Sequence, residues 1–172
     1  IDLMADVAKS LESILPAGDE FHQYAQPIPL MTQMVVNGQT GNKGGQGFYR
    51  DTESGREVLN LITGVYKPTT RLQLPLAQKA ETEGASALLD DDSVYGRFAW
   101  QVLSSTLNYA AALIPEIGSN ILPIDDAMKL GYNWIYGPFE LLDQIGAQRV
   151  VERMQQEDRK VAPMLLLAAK KQ

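Results

Sequence analysis

Residues 123–146 read PIDDAMKLGYNWIYGPFELLDQIG, and this stretch predicts two short helices joined by an aromatic connector. Pro123 suits the first turn of a helix, where its missing N–H costs no hydrogen bond, and the two aspartates after it suit the positive end of the helix dipole. Gly131 suits the position after a helix, because glycine adopts the left-handed conformation without strain. Pro138 opens the second helix in the same way, and Gly146 ends it.

The connector between these helices, residues 132–136, carries three aromatic side chains. Large aromatic groups in a short connection need a surface to pack against. We therefore expect that Trp134 is buried and that the connector is clamped onto a larger helical body.

The spacing of apolar residues predicts further helices on both sides of this corner. Residues 1–14 show one apolar stripe, which we expect to be buried, and a second helix is predicted over about residues 29–37, ended by Gly38. The longest helix is predicted over residues 93–117, with Pro115 kinking or ending it. Its apolar residues, including Trp100 and Phe98, occupy two faces, which predicts a central helix. The fold class is therefore all-α.

A glycine-rich segment, residues 38–50, invites comparison with phosphate-binding loops. Lys43 is followed by glycine and not by Ser or Thr, so the pattern of a P-loop fails. No amphipathic helix follows Arg50, so the dinucleotide-binding pattern fails as well. We favour a tight crossing of the chain that carries Phe48 and Tyr49 into a core.

Composition excludes several classes of function. A formal charge of −6 argues against a nucleic-acid partner, and the absence of cysteine excludes disulfides and thiolate chemistry. The sequence has no apolar run long enough for a transmembrane helix, and a cytoplasmic location is expected. The chain begins at Ile1 without a secretory signal, and we expect it to be a piece of a longer protein.

The ionisable residues form no convincing catalytic group. Glu116 with Asp125, or Glu140 with Asp143, could be proposed as acid–base pairs, but helix-dipole complementation and solvation explain these carboxylates more simply. His22 has no carboxylate close in sequence to orient it. The aspartates at residues 90–92 lack the glycine turn and distant glutamate of a calcium loop, so we interpret them as a solvated stretch. The sequence therefore predicts no catalytic, cofactor-binding or metal-binding residue.

Two motifs carry a family resemblance. The string Ile124-Asp125-Asp126-Ala127-Met128, then Gly131, then Gly137-Pro138-Phe139-Glu140-Leu141 with Asp143, Ile145 and Gly146, resembles the C-terminal domain of 3-hydroxyacyl-CoA dehydrogenases. Residues 41–49 resemble the Gly-x-Lys-x-Gly-x-Gly-Phe-Tyr segment that closes the same domain. The resemblance implies the all-α fold of the C-terminal domain of 6-phosphogluconate dehydrogenase, and a catalytic His–Glu pair located in a separate NAD-binding Rossmann domain, so His22 should not inherit that role.

The second motif comes before the first, which is the reverse of the order expected in a single domain. We interpret this as two tandem, partly truncated copies. Residues 1–50 would be the back part of the first C-terminal domain, residues 51–91 a linker that wraps the surface, and residues 92–172 the second C-terminal domain.

The resemblance implies a function for the parent protein. It would be an NAD-dependent L-3-hydroxyacyl-CoA dehydrogenase of fatty-acid β-oxidation, fused to an enoyl-CoA hydratase. This chain would supply a pseudo-dimer scaffold and part of the acyl-CoA cleft, without hydride chemistry of its own. Its expected partners are the Rossmann and hydratase domains of the parent protein, or a second copy in a homodimer. The alternative is a free-standing helical protein-interaction module.

Overall fold

The computed structural model describes residues 1–114 and 116–171, and the chain divides into two compact units, Ile1–Leu72 and Gln73–Gln172. Pro115, which we expected to kink or end the longest helix, lies outside the described residues.

The first unit combines two helices with a small sheet. Helix α1 spans Asp2–Ile14 and helix α2 spans Pro29–Val36, close to the predicted bounds. Met34 on α2 is buried, whereas no residue of α1 is buried. The expectation of a buried stripe on residues 1–14 is therefore wrong, because Leu3 and Ile14 on that stripe are largely exposed in the described structure.

The sheet is the exception to the predicted all-α fold. Strands β1 (Tyr49–Thr52), β2 (Gly55–Leu59) and β3 (Tyr66–Pro68) pair antiparallel in the order β1-β2-β3. The β1–β2 connection is tight, and Gly55 there has φ 119°, which residues other than glycine rarely adopt. The division of the chain at residues 50/51 and 91/92 stays a prediction, and most of this sheet falls within residues 51–91.

The second unit is helical. In chain order its helices are α3 (Pro75–Glu83), α4 (Val94–Ala112), α5 (Leu122–Tyr132), α6 (Pro138–Ile145), α7 (Ala147–Gln156) and α8 (Pro163–Ala169). Four of them begin with proline in the first turn, where the missing N–H is harmless. Pro75 is the first residue of α3, within the stretch of residues 51–91 that we interpreted as a linker. The prediction of a helical fold is confirmed for this unit.

One face of helix α4 is buried in the core of the second unit. Trp100, Leu107 and Ala111 of α4 pack in one buried cluster with Phe139 of α6 and Met154 of α7. The opposite apolar face behaves differently. Phe98 is 69% exposed, so the expectation that α4 is enclosed on both faces is wrong for the unit described.

The two short helices of the corner form as predicted, except that the first helix ends later than expected. Helix α5 continues through Gly131 to Tyr132, and the left-handed residue is Asn133, at φ 55° and ψ 34°. Asparagine tolerates this conformation better than most residues other than glycine. No helix among the described residues has both the length and the apolar character needed to cross a membrane.

Candidate functional site

The corner between α5 and α6 is organised around Asp125. Its side chain is 3% exposed, and its Oδ1 atom accepts a hydrogen bond of 2.8 Å from the backbone N–H of Phe139. Phe139 lies in the first turn of α6, where N–H groups have no partner within the helix, and Gly137 at the N-cap has no side chain to supply one. Asp125 therefore caps α6 from another helix.

Gly137 is required by this arrangement for a steric reason. A Cβ atom at Gly137 would lie far inside the van der Waals radii of the Asp125 backbone and side chain. The φ of Gly137 is −73°, which any residue adopts. The close approach of Asp125, and not the backbone conformation, thus explains the glycine.

A second carboxylate completes the cap. The Oε2 atom of Glu140 accepts a hydrogen bond of 2.9 Å from the N–H of Gly137, and its Oε1 atom lies 2.5 Å from Nζ of Lys129. Lys129 also lies 3.4 Å from Oδ1 of Asp126. The corner is therefore held by hydrogen bonds and ion pairs between α5 and α6.

These contacts shift the protonation equilibria in opposite directions. The hydrogen bond from Lys129 lowers the pKa of Glu140, and the same contact raises the pKa of Lys129. Burial raises the pKa of Asp125, although the hydrogen bond from Phe139 partly offsets this effect. Asp125 is therefore a buried capping group rather than an exposed acid or base.

The aromatic connector is exposed, contrary to the prediction. Trp134 is 37% exposed and Ile135 is 83% exposed, so neither serves as a buried anchor of the corner. Beside the connector lies a shallow depression of about 440 Å³, lined by Lys129, Ile135, Tyr136, Glu140, Asp143 and Gln144.

The two carboxylate pairs that we set aside as acid–base candidates have other surroundings in the structure. Glu116 is exposed whereas Asp125 is buried, and Glu140 is engaged by Lys129 and Gly137. Asp143 is exposed at the rim of the depression. Among residues 1–114 and 116–171, no group of three or more His, Cys, Asp or Glu side chains is placed to hold a metal ion.

The polar flank of α4 binds the segment that leads into α8. Nη1 of Arg159 donates to Oγ of Ser104 at 2.6 Å, and Nη2 donates to Oγ of Ser105 at 3.1 Å. Asn108 Oδ1 accepts from the N–H of Ala162 at 2.8 Å. These side chains hydrogen-bond within the unit, so the polar flank of α4 has a packing role.

Trp100 lies one turn before Ser104 on the same face of α4. Its indole N–H donates to Oε1 of Glu157 at 2.6 Å, and the guanidinium group of Arg153 stacks 4.4 Å above the ring. Arg153 also donates to the backbone oxygen of Leu89 at 3.0 Å. The buried tryptophan of this unit is therefore Trp100 and not Trp134.

In the first unit, the glycine-rich segment forms a tight crossing as expected. Gly41 and Gln46 form an isolated bridge, and a Cβ at Gly47 would lie 2.8 Å from Cα of Gly41. Phe48 is only partly buried and Tyr49 is exposed, so the prediction that both side chains enter a core is wrong for Tyr49. Tyr66 fixes the segment instead, because its hydroxyl group donates to the oxygen of Gly47 at 2.5 Å.

His22 lies in a short 3₁₀ turn and is bonded locally. Its Nε2 atom lies 2.9 Å from the backbone oxygen of Pro16. The acidic stretch near residue 91 also has a local role, since Ser93 hydrogen-bonds to Asp91 and lowers its pKa. His22 and Asp91 thus both make local structural contacts.

Sequence reasoning missed the capping role of Asp125. A signal was present: a helix that begins Gly-Pro has no side chain at its N-cap, so its free N–H groups require an acceptor from elsewhere. Because Asp125 lies 14 residues before Phe139, the local sequence around α6 does not identify Asp125 as that acceptor.

Comparison with known proteins gives a family match that includes the corner. Residues 96–169 match the family model described as 3-hydroxyacyl-CoA dehydrogenase, C-terminal domain. The chain is 37% identical over 145 residues to a protein of Rickettsia felis named as a fatty acid oxidation complex trifunctional enzyme, covering 82% of this chain and 19% of that one. It is 35% identical over 161 residues to a protein of Bacillus subtilis named as a 3-hydroxyacyl-CoA dehydrogenase, covering 91% of this chain and 20% of that one.

The chain thus spans about a fifth of the length of the curated relatives that it matches. No solved structure is significantly similar to it.

Proposed function

Because residues 96–169 belong to the family of 3-hydroxyacyl-CoA dehydrogenase C-terminal domains, we propose that this chain is the helical C-terminal part of an NAD-dependent L-3-hydroxyacyl-CoA dehydrogenase of fatty-acid β-oxidation. The observation that carries the proposal is the position of the match. It covers α4 to α8 and includes the capped corner, whose residues Asp125, Gly137 and Glu140 belong to the motif that first suggested the family.

In this proposal the chain is scaffold, and hydride transfer belongs to another part of the enzyme. Dinucleotide-binding folds use parallel strands joined by crossover helices. The described residues do not fit NAD, since their strands form an antiparallel sheet of three. Asp125 and Glu140 both accept backbone N–H groups at the start of α6, which supports a structural role for the corner.

We further propose that the chain contains two partly truncated copies of the helical domain, with residues 1–50 from the first copy and residues 92–172 from the second. The order of the two motifs supports this division. In the parent enzyme the copies would pack as a pseudo-dimer and form one wall of the acyl-CoA cleft. The parts that complete the enzyme would be a Rossmann domain and, given relatives named as trifunctional enzymes, an enoyl-CoA hydratase domain.

By itself, the chain would use its exposed apolar surface to form a homodimer. Exposed residues such as Phe98 on α4 and Leu130 on α5 support this, because large apolar side chains left in water favour association. The same surfaces favour the second candidate, a helical protein-interaction module without an enzymatic parent.

Two measurements test the proposal. First, the isolated chain should not oxidise NADH with acetoacetyl-CoA and should not bind NADH, and saturable binding in a fluorescence titration at micromolar concentration would contradict the scaffold role. The B. subtilis relative, assayed beside it, serves as the positive control.

Second, the 161 aligned residues of the B. subtilis relative can be replaced by the matching segment of this chain. A dehydrogenase scaffold should support hydride transfer in the chimaera, whereas a chimaera that is folded by circular dichroism but inactive would favour the interaction module. A parallel chimaera with the R. felis relative controls for a poor junction.

A further inference from the structure

The corner carries an exposed patch of large apolar side chains, Leu130, Tyr132, Ile135 and Tyr136, which we refer to as the connector patch. Leu130 is 88% exposed and Ile135 is 83% exposed, and all four lie within one short stretch of chain. Apolar side chains scattered singly over a surface need no explanation, but a group of this size marks a contact surface.

Hydrogen bonds and a tight turn hold the backbone of the connector patch in place. Asn133 holds the turn in the left-handed conformation, and the N–H of Trp134 donates to the oxygen of Met128 at 3.4 Å. Asp125 and Glu140 fix the next residues through Phe139 and Gly137. A surface that is ordered before binding loses less conformational entropy when a partner covers it.

The surroundings of the connector patch are acidic. Asp126, Glu140 and Asp143 lie at the same corner, and Lys129 is already engaged by Asp126 and Glu140. A partner should therefore be apolar and basic. A CoA ester fits poorly, because its phosphates would meet these carboxylates and the shallow depression would leave an acyl chain in water.

The end of helix α8 has the complementary chemistry. Leu166 and Leu167 are exposed on α8, and the exposed Lys170 and Lys171 follow one turn later. Residues four apart share a helix face, and Lys170 keeps helical dihedrals at φ −81° and ψ −13°. Within the described part of the chain, neither lysine takes part in an ion pair.

The spacing of the two surfaces also matches. On α5 the exposed acid Asp126 comes four residues before Leu130, and Leu166 of α8 comes four residues before Lys170, which keeps helical dihedrals just after the last helical residue. When two helices lie antiparallel, the acid of one faces the base of the other and leucine faces leucine. The rise of about 6 Å over four residues is the same on both helices.

We propose that α8 of one copy of this chain packs antiparallel along α5 of a second copy, with Leu166 and Leu167 on the connector patch and Lys170 and Lys171 beside Asp126 and Asp143. This inference rests on the self-association in the proposed function and names its surface. Two such contacts related by a twofold axis would close a dimer and prevent further growth.

Engineered disulfides test this contact on a clean background, because the chain has no cysteine. Purified Leu130→Cys and Leu167→Cys variants are mixed and oxidised, so that any mixed disulfide must join two molecules. The mixed disulfide should form roughly tenfold faster than the disulfide of either variant with itself, since the contact raises the local thiol concentration. A mixture of Leu167→Cys with Leu3→Cys is the matched control, because Leu3 is also an exposed apolar residue on a helix.

Charge reversal gives an independent measurement by analytical ultracentrifugation of the full chain. The Lys170→Glu/Lys171→Glu variant should dissociate at roughly tenfold higher concentration than the unmodified protein. The Asp126→Lys/Asp143→Lys variant should weaken self-association as well, and mixing the two variants should restore it. A Lys9→Glu/Lys67→Glu variant changes the net charge equally on exposed lysines of the first unit and should behave like the unmodified protein.

The outcomes separate the two proposals. A dimer that is insensitive to both charge reversals, or equal rates in all disulfide mixtures, would overturn the α5–α8 contact and leave the self-association standing. A chain that is monomeric at every concentration would overturn both, while the chimaera experiment would still decide the dehydrogenase assignment.

Discussion

The Oδ1 atom of Asp125 accepts the backbone N–H of Phe139 at 2.8 Å, and this bond joins helix α5 to the first turn of helix α6. The two residues are 14 positions apart, and the donor would otherwise be a buried N–H without a partner. The corner therefore depends on a cap that one helix supplies to the next.

Replacing Asp125 with Ala should lower the free energy of unfolding by about 1–2 kcal/mol, because the cap of α6 is lost. Asp125→Asn should cost less, since the amide oxygen can still accept the hydrogen bond. Asp126→Ala is the control at the neighbouring position and should stay within about 0.5 kcal/mol, because Asp126 is exposed. Urea denaturation measures all three, and equal losses for Asp125→Ala and Asp126→Ala would contradict the capping role.

Two glycines of the corner should respond oppositely to alanine. Gly137→Ala should destabilise the fold by about 1–3 kcal/mol, because the new Cβ would overlap Asp125. Gly131→Ala should stabilise it by about 0.5–1 kcal/mol, because Gly131 lies in α5 with open space around it. Denaturation midpoints that move in the same direction for both variants would show that the close approach of Asp125 is not the reason for Gly137.

The two tryptophans should differ strongly in their effect on stability. Trp100→Ala should cost about 3–5 kcal/mol, because Trp100 is 4% exposed and lies in the core cluster. Trp134→Ala should cost about 1 kcal/mol or less, because that side chain is partly in water. Chemical denaturation gives the two values. Acrylamide quenching provides the control, since the fluorescence of Trp134 in the Trp100→Phe variant should be readily quenched.

The pair of Glu140 and Lys129 should make the corner sensitive to acid. The folded-state pKa of Glu140 lies below its ordinary value of 4.5, so its stabilising contribution is present above that pH and is lost as the pH falls through the folded-state pKa. Glu140→Gln removes this contribution. The difference in unfolding free energy between the unmodified protein and Glu140→Gln should therefore shrink on acidification from about pH 7 to about pH 3.

Asp125 should show the opposite sign at the same corner. Burial raises its folded-state pKa, so its contribution to stability grows as the pH falls through that pKa and is fully present below the ordinary value of 3.8. The advantage of the unmodified protein over Asp125→Asn should therefore increase on acidification. Parallel pH profiles for Glu140→Gln and Asp125→Asn would contradict both assignments.

The sequence by itself determined helices α4, α5 and α6 of the second unit and the family resemblance that the match over residues 96–169 bears out. Prolines in first turns, the apolar period and the Gly-Pro-Phe-Glu motif act within one or two turns of chain, so their meaning can be read locally. The predicted helices over residues 1–14, 29–37 and 123–146 accordingly match the structure within a residue or two, although the longest helix ends at Ala112, five residues before the predicted end.

Only the tertiary structure decided which side chains are buried and what they bind. Trp100 rather than Trp134 is the core tryptophan, Asp125 caps a helix 14 residues away, and Ser104 binds Arg159 across 55 residues. The sheet of residues 49–68 likewise depends on pairing between strands that are weak as isolated segments. Hydrophobic burial and hydrogen-bond satisfaction depend on which elements meet in space, and no local pattern in the sequence contains that information.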